Sequence, residues 1–588
     1  MKALEQLFGD GVRRTKGNEA RRYNLLAARL IADLVKNVLG PRGLEKMLID
    51  ILGEITITKD GSTILRKIDV EHPAAKVLIE SSNAVDNEVG DGTTSVVVLA
   101  GALIEKAEEL LNIGIAPNTI IDGYLLGLEF SLDALQRFAQ TCKNYDRQVM
   151  DKIASTCLRS KAITYWAVDC DSAHYNGSNG LEERKCTDMF AKLVVDAIYT
   201  IADFANNRVE IDNIKIEEKP GNMSDTKFVK GIVIDKTIDN YAMPRTIENA
   251  KILLINEDLE GKRTKTDAEI NITSPDEIQS YIREESSIIK SKVQNIIRSG
   301  ANVVFSQKGI SLRAQYYLSE YGIISIRRVK ENDLQWLEKS TGGKTIRDLD
   351  KHSSESLGYA KTVYEKFVGD DKMVFVEGCK DPQAVTLLLR ANSKRALDEF
   401  HRSILDSIST LKNYITKPTI VAGGGSVEAI IANYIRGKAA SISGREQIVV
   451  QKFADALEVI PLTIARNAGM NTIDTITKLR SRYTPTLNDS DTKNTIRWYG
   501  VDAVERKIDD MLCYDIIEPS IVKEQVIKTA TEVTNLLLRV DDVLIAKQAM
   551  YTHTHKDGTQ HSHPGGDKKH DHYFDKLGKQ QRPMHHYY

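Results

Sequence analysis

Two glycines, a carboxylate and three hydroxyls stand together at Gly90-Asp91-Gly92-Thr93-Thr94-Ser95, directly ahead of an apolar run at 96–104. Glycine lets a backbone approach a ligand closely, and the hydroxyl residues open what the pattern predicts as a buried helix. The free N–H groups and positive dipole end of such a helix favour phosphate. Asp91 would repel phosphate unless a cation lay between them. Mg2+ suits that place, because it takes one or two carboxylates and completes its shell with phosphate oxygens and water. The six residues read as a Mg-nucleotide site. They read equally as a helix N-cap behind a tight turn, and the hexamer leaves both open.

Four further segments have the residue types of ligand turns. Leu39-Gly40-Pro41-Arg42-Gly43 ends a helical pattern on a glycine-proline turn, and Lys59-Asp60-Gly61-Ser62-Thr63 is a second acidic turn. Ala422-Gly423-Gly424-Gly425-Ser426 joins a strand to a helix, where glycine permits flat contact with a sugar or base. Asp406 lies on an amphipathic helical pattern. Taken singly, these are a turn, a loop and a solvated acid. Gly342-Gly343-Lys344-Thr345 mimics the end of a phosphate-binding P-loop, but Glu338 stands where the first glycine belongs, so an ordinary loop is expected.

The elements that must position these residues fall into three stretches. Residues 21–143 alternate long helical patterns (a broad apolar face from Leu25 to Leu34, then 74–85, 94–111 and 117–141) with a short strand at Ile55 and Ile57. From about 214 to 368, β segments at 231–234, 252–255, 303–305 and 323–326 alternate with helices such as 275–299, predicting an α/β domain. Strands at 373–376 and 386–390 lead back to long helices at 427–436, 446–467 and 522–548. The order helical, α/β, helical predicts an inserted middle domain. Residues 553–588 hold eight of the twelve histidines and few aliphatics, so a disordered tail is expected there.

Composition narrows the class. At 588 residues the chain exceeds one core, and about two to four domains are expected. A net charge of −2 gives no bulk electrostatic hold on nucleic acid. The apolar run 96–104 is too short to span a bilayer, and residues 1–20 lack the apolar core of a signal peptide. Six cysteines (Cys142, Cys157, Cys170, Cys186, Cys379, Cys513) form no CxxC pair, which points to a reducing compartment. A cytoplasmic protein is expected, with no nucleic-acid or membrane partner.

Together the segments resemble the chaperonin family. Asn37 to Leu48 (NVLGPRGLEKML) is similar to its phosphate-loop signature. Ile57–Leu65, Glu71–Lys76, Glu88–Ser95, Val421–Glu428 and Leu538–Val543 follow in the family's order, and the resemblance covers about residues 12–548. Lys265–Thr273 and Gly300–Ile310 resemble the apical domain of the group II chaperonins, most closely an archaeal thermosome subunit. That group carries a built-in helical protrusion as its lid, so no separate lid protein is expected.

The resemblance implies a multidomain α and α+β fold. A mostly helical equatorial domain would comprise 1–143 and 409–550, and a small intermediate domain 144–216 and 370–408. An α/β apical domain with the protrusion would span 217–369, with the His-rich tail at 551–588. It implies ATP or ADP with Mg2+ as ligands. Asp91 would hold the metal, while Gly92, Thr93, Thr94 and Ser95 contact phosphates. Leu39, Gly40 and Pro41 would flank the nucleotide, Gly424 and Gly425 would lie against ribose and base, and Glu518 would reach the ribose. Asp60 and Asp406 would position and polarise the attacking water, and Lys161 matches a lysine that senses the γ-phosphate.

The function implied is an ATP-driven folding chaperone. Two stacked rings of eight or nine self or paralogous subunits would enclose unfolded polypeptide. The alternatives are a structural ring subunit with little turnover, and a small-molecule ATPase or kinase. Two segments depart from the family: an insertion near 165–185 with Trp166, Cys170, His174 and Cys186 around it, and a tail with HxH pairs at His553/His555, His561/His563 and His570/His572. The first reads as a surface insertion or a Cys/His metal site, the second as a solvated tail or a weak site for zinc, nickel or copper.

Overall fold

The computed structural model describes residues 13–50, 52–142, 145–161, 179–260, 275–349, 356–380, 382–483, 497–545, 550–554 and 560–564. Residues 165–178 of the insertion, the segment Lys265–Thr273 and most of the His-rich tail lie outside them.

The helical part grows from sequences that are apolar nearly all round. In the Thr93–Asn112 helix every residue from Val96 to Ile104 is buried, as a helix surrounded by other helices requires. It packs on the Pro73–Val89 and Glu446–Leu457 helices, while the Pro117–Phe138 helix packs on Glu446–Leu457 and Ser426–Ala439. The T-shaped pair Tyr124–Phe453 marks one such contact, with centroids 5.5 Å apart. Helices from the early and late thirds of the sequence thus share one core.

The middle of the chain is sheet-based. A seven-stranded mixed sheet runs Ile324–Ile326, Val303–Ser306, Thr246–Ile255, Gly358–Val368, Asp371–Glu377, Gly231–Ile234, with Thr345–Ile346 on the Thr246–Ile255 strand. Its parallel strands are continuous apolar runs buried on both faces, including Val303–Phe305 and Leu253–Ile255. Between this sheet and the helices lies a smaller one. Val385–Ala391 sits between Ile214–Pro220, parallel, and Lys227–Val229, antiparallel, and is covered by the helices Asn179–Ile201 and Lys394–Thr416. Phe190 and Phe400 join those two helices edge to face.

The two ends of the chain, 1–24 and 536–588, form a unit of their own, in which Arg13–Lys16 pairs antiparallel with Asp542–Ile545.

Several elements differ from the sequence reading. The helix expected over 446–467 is two, Glu446–Leu457 and Val459–Asn467, because Pro461 lacks the N–H that would continue the ladder. The last long helix is Ser520–Arg539 rather than 522–548, and the β-branched residues after it enter the terminal strand pair. The Asp60-Gly61 turn is a helix start, with Asp60 capping Gly61–Lys67. The tail expected to be disordered contains a two-stranded ladder, Met550–Thr554 against Gln560–Pro564, whose strands satisfy each other's backbone groups.

Candidate functional site

Each half of the Gly90-Asp91-Gly92 turn has its own reason. Gly90 ends the Pro73–Val89 helix in the left-handed region at φ +66°, and a Cβ there would lie 2.3 Å from Ser409 Cβ. Gly92 opens the Thr93–Asn112 helix at φ +80°, and its Cβ would lie 2.7 Å from Val526 Cγ2. The helix start has no side-chain cap, so the amides of its first turn are left for something else. Asp91 folds back to accept from the Gly92 amide at 2.7 Å through Oδ1.

This turn lines a cavity shared by most of the predicted residues: Leu39, Gly40, Pro41, Asp91, Gly92, Ser95, Gly424, Gly425 and Glu518. The Leu39–Pro41 turn is tied to the Val459–Asn467 helix by Asn467, whose amide donates to the Leu39 carbonyl at 2.8 Å. Strand pairing of Val421 with Glu518 brings the glycine run and the glutamate to one edge. Thr93 and Thr94 stand in the first turn of the helix, Thr93 donating to Asp60 Oδ1 at 3.3 Å.

The charged cluster beside the cavity unites three remote segments. Lys161 Nζ, at the end of the Arg147–Arg159 helix, donates to Asp406 Oδ2 at 2.5 Å and stands 3.9 Å from Asp91 Oδ1. Asp406 comes from the Lys394–Thr416 helix and Asp60 from its helix cap. Burial and the neighbouring Asp60 and Asp91 push the Asp406 carboxyl up to about 8 against the opposing pull of Lys161. Asp60 is as buried, yet the Lys161 charge and hydrogen bonds from Thr63 and Ser62 outweigh burial and hold it below the usual carboxylate range. Lys161 itself is pushed well upward, its acidic neighbours outweighing desolvation.

Sequence reasoning missed Cys157, Asp502, Ala503 and Lys523 among the lining residues. Asp502 and Ala503 sit in a hairpin, Tyr499–Asp502 with Lys507–Asp510, whose turn carries no glycine. Lys523 could have been flagged, since it stands five residues after Glu518 at a helix start. The P-loop mimic is an ordinary loop: Gly342 ends a helix, and Thr345 pairs in the mixed sheet. Among the described residues no group of three or more His, Cys, Asp or Glu has the arrangement of a metal site, and no helix is long and apolar enough to cross a membrane.

Fold and cavity together define a multidomain α and α+β chain with a charged cavity lined by early and late parts of the sequence. The chain belongs to the TCP-1/cpn60 chaperonin family, whose profile matches residues 31–548. It is 43% identical over 544 residues to thermosome subunit alpha of Archaeoglobus fulgidus, covering 92% of this chain and 94% of that one. It is 42% identical to the thermosome subunit of Methanopyrus kandleri, over 92% of this chain and 95% of that one. Thermosome subunit alpha of Sulfolobus acidocaldarius is 42% identical, over 93% of this chain and 95% of that one. These likenesses set the chain among the group II chaperonin subunits.

Proposed function

We propose that this chaperonin subunit binds and hydrolyses ATP with Mg2+, and that hydrolysis drives closure of a ring chamber around unfolded polypeptide in the cytoplasm. The observation that carries it is the convergence of Asp91, Lys161 and Asp406 at one cavity edge, from three segments far apart in sequence.

The residues fit the nucleotide. The first-turn amides of the Thr93–Asn112 helix have no side-chain cap, and Gly92 beside them leaves no room for a side chain, since a Cβ there would meet Val526 and Val522. Asp91 would hold Mg2+, which when bound neutralises charge on phosphate oxygens. Thr93, Thr94 and Ser95 would bind phosphate, Leu39, Gly40 and Pro41 would flank it, Gly424 and Gly425 would receive ribose and base, and Glu518 would accept from ribose. Asp60 and Asp406 would orient the attacking water. A carboxyl lifted by burial is the stronger base once ionised, and the Lys161 ammonium favours that ionised form against burial and the acidic neighbours. Because Asp406 and Asp91 sit on different parts of the chain, movement of one part against the other would make or break the site, which couples hydrolysis to movement.

Assembly is supported by surface chemistry. The Gly17–Lys36 helix exposes Leu26, Leu30 and Leu34, and the Lys46–Ile49/Ile55–Thr58 hairpin exposes Met47 and Ile49. Apolar surface of that kind is expected to be covered, here by self or paralogous subunits in stacked rings of eight or nine.

Electron microscopy of the full-length protein with and without MgATP, beside phosphate release and refolding of a denatured polypeptide, tests the reading. Double rings that close with ATP and release phosphate are expected. Rings without turnover would leave only the structural-subunit reading, and a monomer would overturn both.

A further inference from the structure

Glu518 and Lys523, which line the cavity, form with Glu428 a charged triad that takes no part in the phosphate chemistry. Lys523 Nζ lies 2.8 Å from Glu518 Oε2 and 3.2 Å from Glu428 Oε1, in the first turn of the Ser520–Arg539 helix. Lys523 and Glu428 are buried, and Glu428 Oε2 has no hydrogen-bond partner. Two carboxylates therefore share one ammonium. Burying an excess charge costs several kcal/mol in general, so the arrangement needs a reason beyond stability.

The geometry around Glu518 supplies one. Its backbone is fixed by pairing with Val421. A Cβ at Gly423 would lie 2.6 Å from Glu518 Oε1, so glycine there is the space that oxygen occupies. Oε2 is pinned by Lys523, which Glu428 holds in turn.

We propose that Lys523 is a positioning residue, anchored by Glu428, that fixes Glu518 with Oε1 presented to the ribose hydroxyls of the bound nucleotide. This rests on the nucleotide reading of the cavity. Burial raises the Glu518 carboxyl, the Lys523 charge and hydrogen bond oppose the rise, and the nearby Glu428 and Asp91 add to it. The Lys523 charge thus favours the ionised acceptor, and a hydrogen bond to a charged group discriminates strongly against a ligand lacking the hydroxyl.

The test is binding and turnover of MgATP against Mg-2′-deoxy-ATP by the full chain, wild type and Lys523→Met. The wild type should prefer ATP by about tenfold or more. Lys523→Met should lose most of that preference through a higher KM for ATP, with KM for 2′-deoxy-ATP and kcat changed less than about threefold. Should the single variant fail to fold, Lys523→Met with Glu428→Gln leaves one carboxylate against no ammonium, the same net charge as two against one. It should show the same loss of preference. Unaltered discrimination in a folded variant would overturn the proposal. A wild type that binds ATP without discriminating would overturn it too, whereas a wild type that binds no ATP would overturn the nucleotide reading instead.

Discussion

Two buried lysines in this chain have opposite surroundings. Lys215, on the Ile214–Pro220 strand, spends all three ammonium donors: 2.6 Å to Asp333, 2.7 Å to the Val233 carbonyl and 3.1 Å to Glu217, with the Trp336 ring 5.4 Å away. Lys161 has one close partner, Asp406, and a second acid 3.9 Å off at the edge of a cavity. One cation is saturated and enclosed; the other faces more acid than it can contact and stands where a ligand could enter. Burial does not separate them, since both side chains are under a tenth exposed. What separates a structural ion pair from a working one is spare coordination beside open space.

The largest expected effect falls on the unsaturated cluster. Asp406→Asn keeps the shape and the Thr410 bond to its backbone, but removes the carboxylate that would orient water. ATP turnover should fall about 10²–10⁴-fold while ATP binding is retained. Undiminished phosphate release from this variant would erase the distinction between the two lysines.

Lys215→Met is the converse. It strands the Asp333 carboxylate, 8% exposed, beside Glu217 in a closed site. Loss of about 3–5 kcal/mol is expected, read as a lowered unfolding midpoint in urea, with ATP affinity and kcat per folded subunit unchanged. A kinetic defect without a stability defect would make Lys215 functional.

Gly92→Ala tests the turn that places Asp91. Alanine is strained at φ +80°, and its methyl would meet Val526. ATP affinity should fall about tenfold, consistent with about 1–2 kcal/mol of strain. Gly469→Ala, with φ +77° but open space around the added Cβ, serves as the control for strain by itself.

The contrast also explains what the sequence disclosed. Glycine and acid at fixed spacing mark positions where backbone comes close to a ligand, so Asp91, Gly92, Gly424 and Gly425 were readable from local chemistry. The helical and sheet stretches were readable from periodicity. Asp406 was singled out but read as a solvated acid and Lys161 was not singled out, because a lone acid on an amphipathic helix and a lone lysine at a helix end carry no local pattern. Their meaning arises from packing, and only the family resemblance assigned them a role. Lys215 and Lys523 show the same limit: each is defined by partners from other strands and helices. Helix ends at Leu457 and Arg539 were misplaced because Pro461 and the terminal strand pairing act over a few residues, below the span on which periodicity is judged.

The smallest effect concerns a carboxylate that lacks the compensation Asp60 enjoys. Asp239 is buried in the mixed-sheet region, accepting from Ser325 Oγ at 2.9 Å and the Arg327 amide at 3.4 Å, with Arg327 Nε at 3.5 Å. Burial outweighs these and pushes its carboxyl up to about 6 from an ordinary 3.8. The folded state then holds the proton more tightly than the unfolded state, so stability falls as pH rises between about 4 and 6 and stays lower above that. Linkage alone bounds the loss at about 3 kcal/mol, and an asparagine forfeits part of the gain by weakening the Ser325 and Arg327 bonds. Asp239→Asn should therefore be more stable than wild type by about 1 kcal/mol at pH 7.5, with the advantage gone or reversed at pH 4. Urea unfolding at both pH values checks it. An equal difference at the two would mean that Asp239, like Asp60, is held ionised by its neighbours, and that a hydrogen-bonded carboxylate needs no dedicated cation to stay charged in this protein.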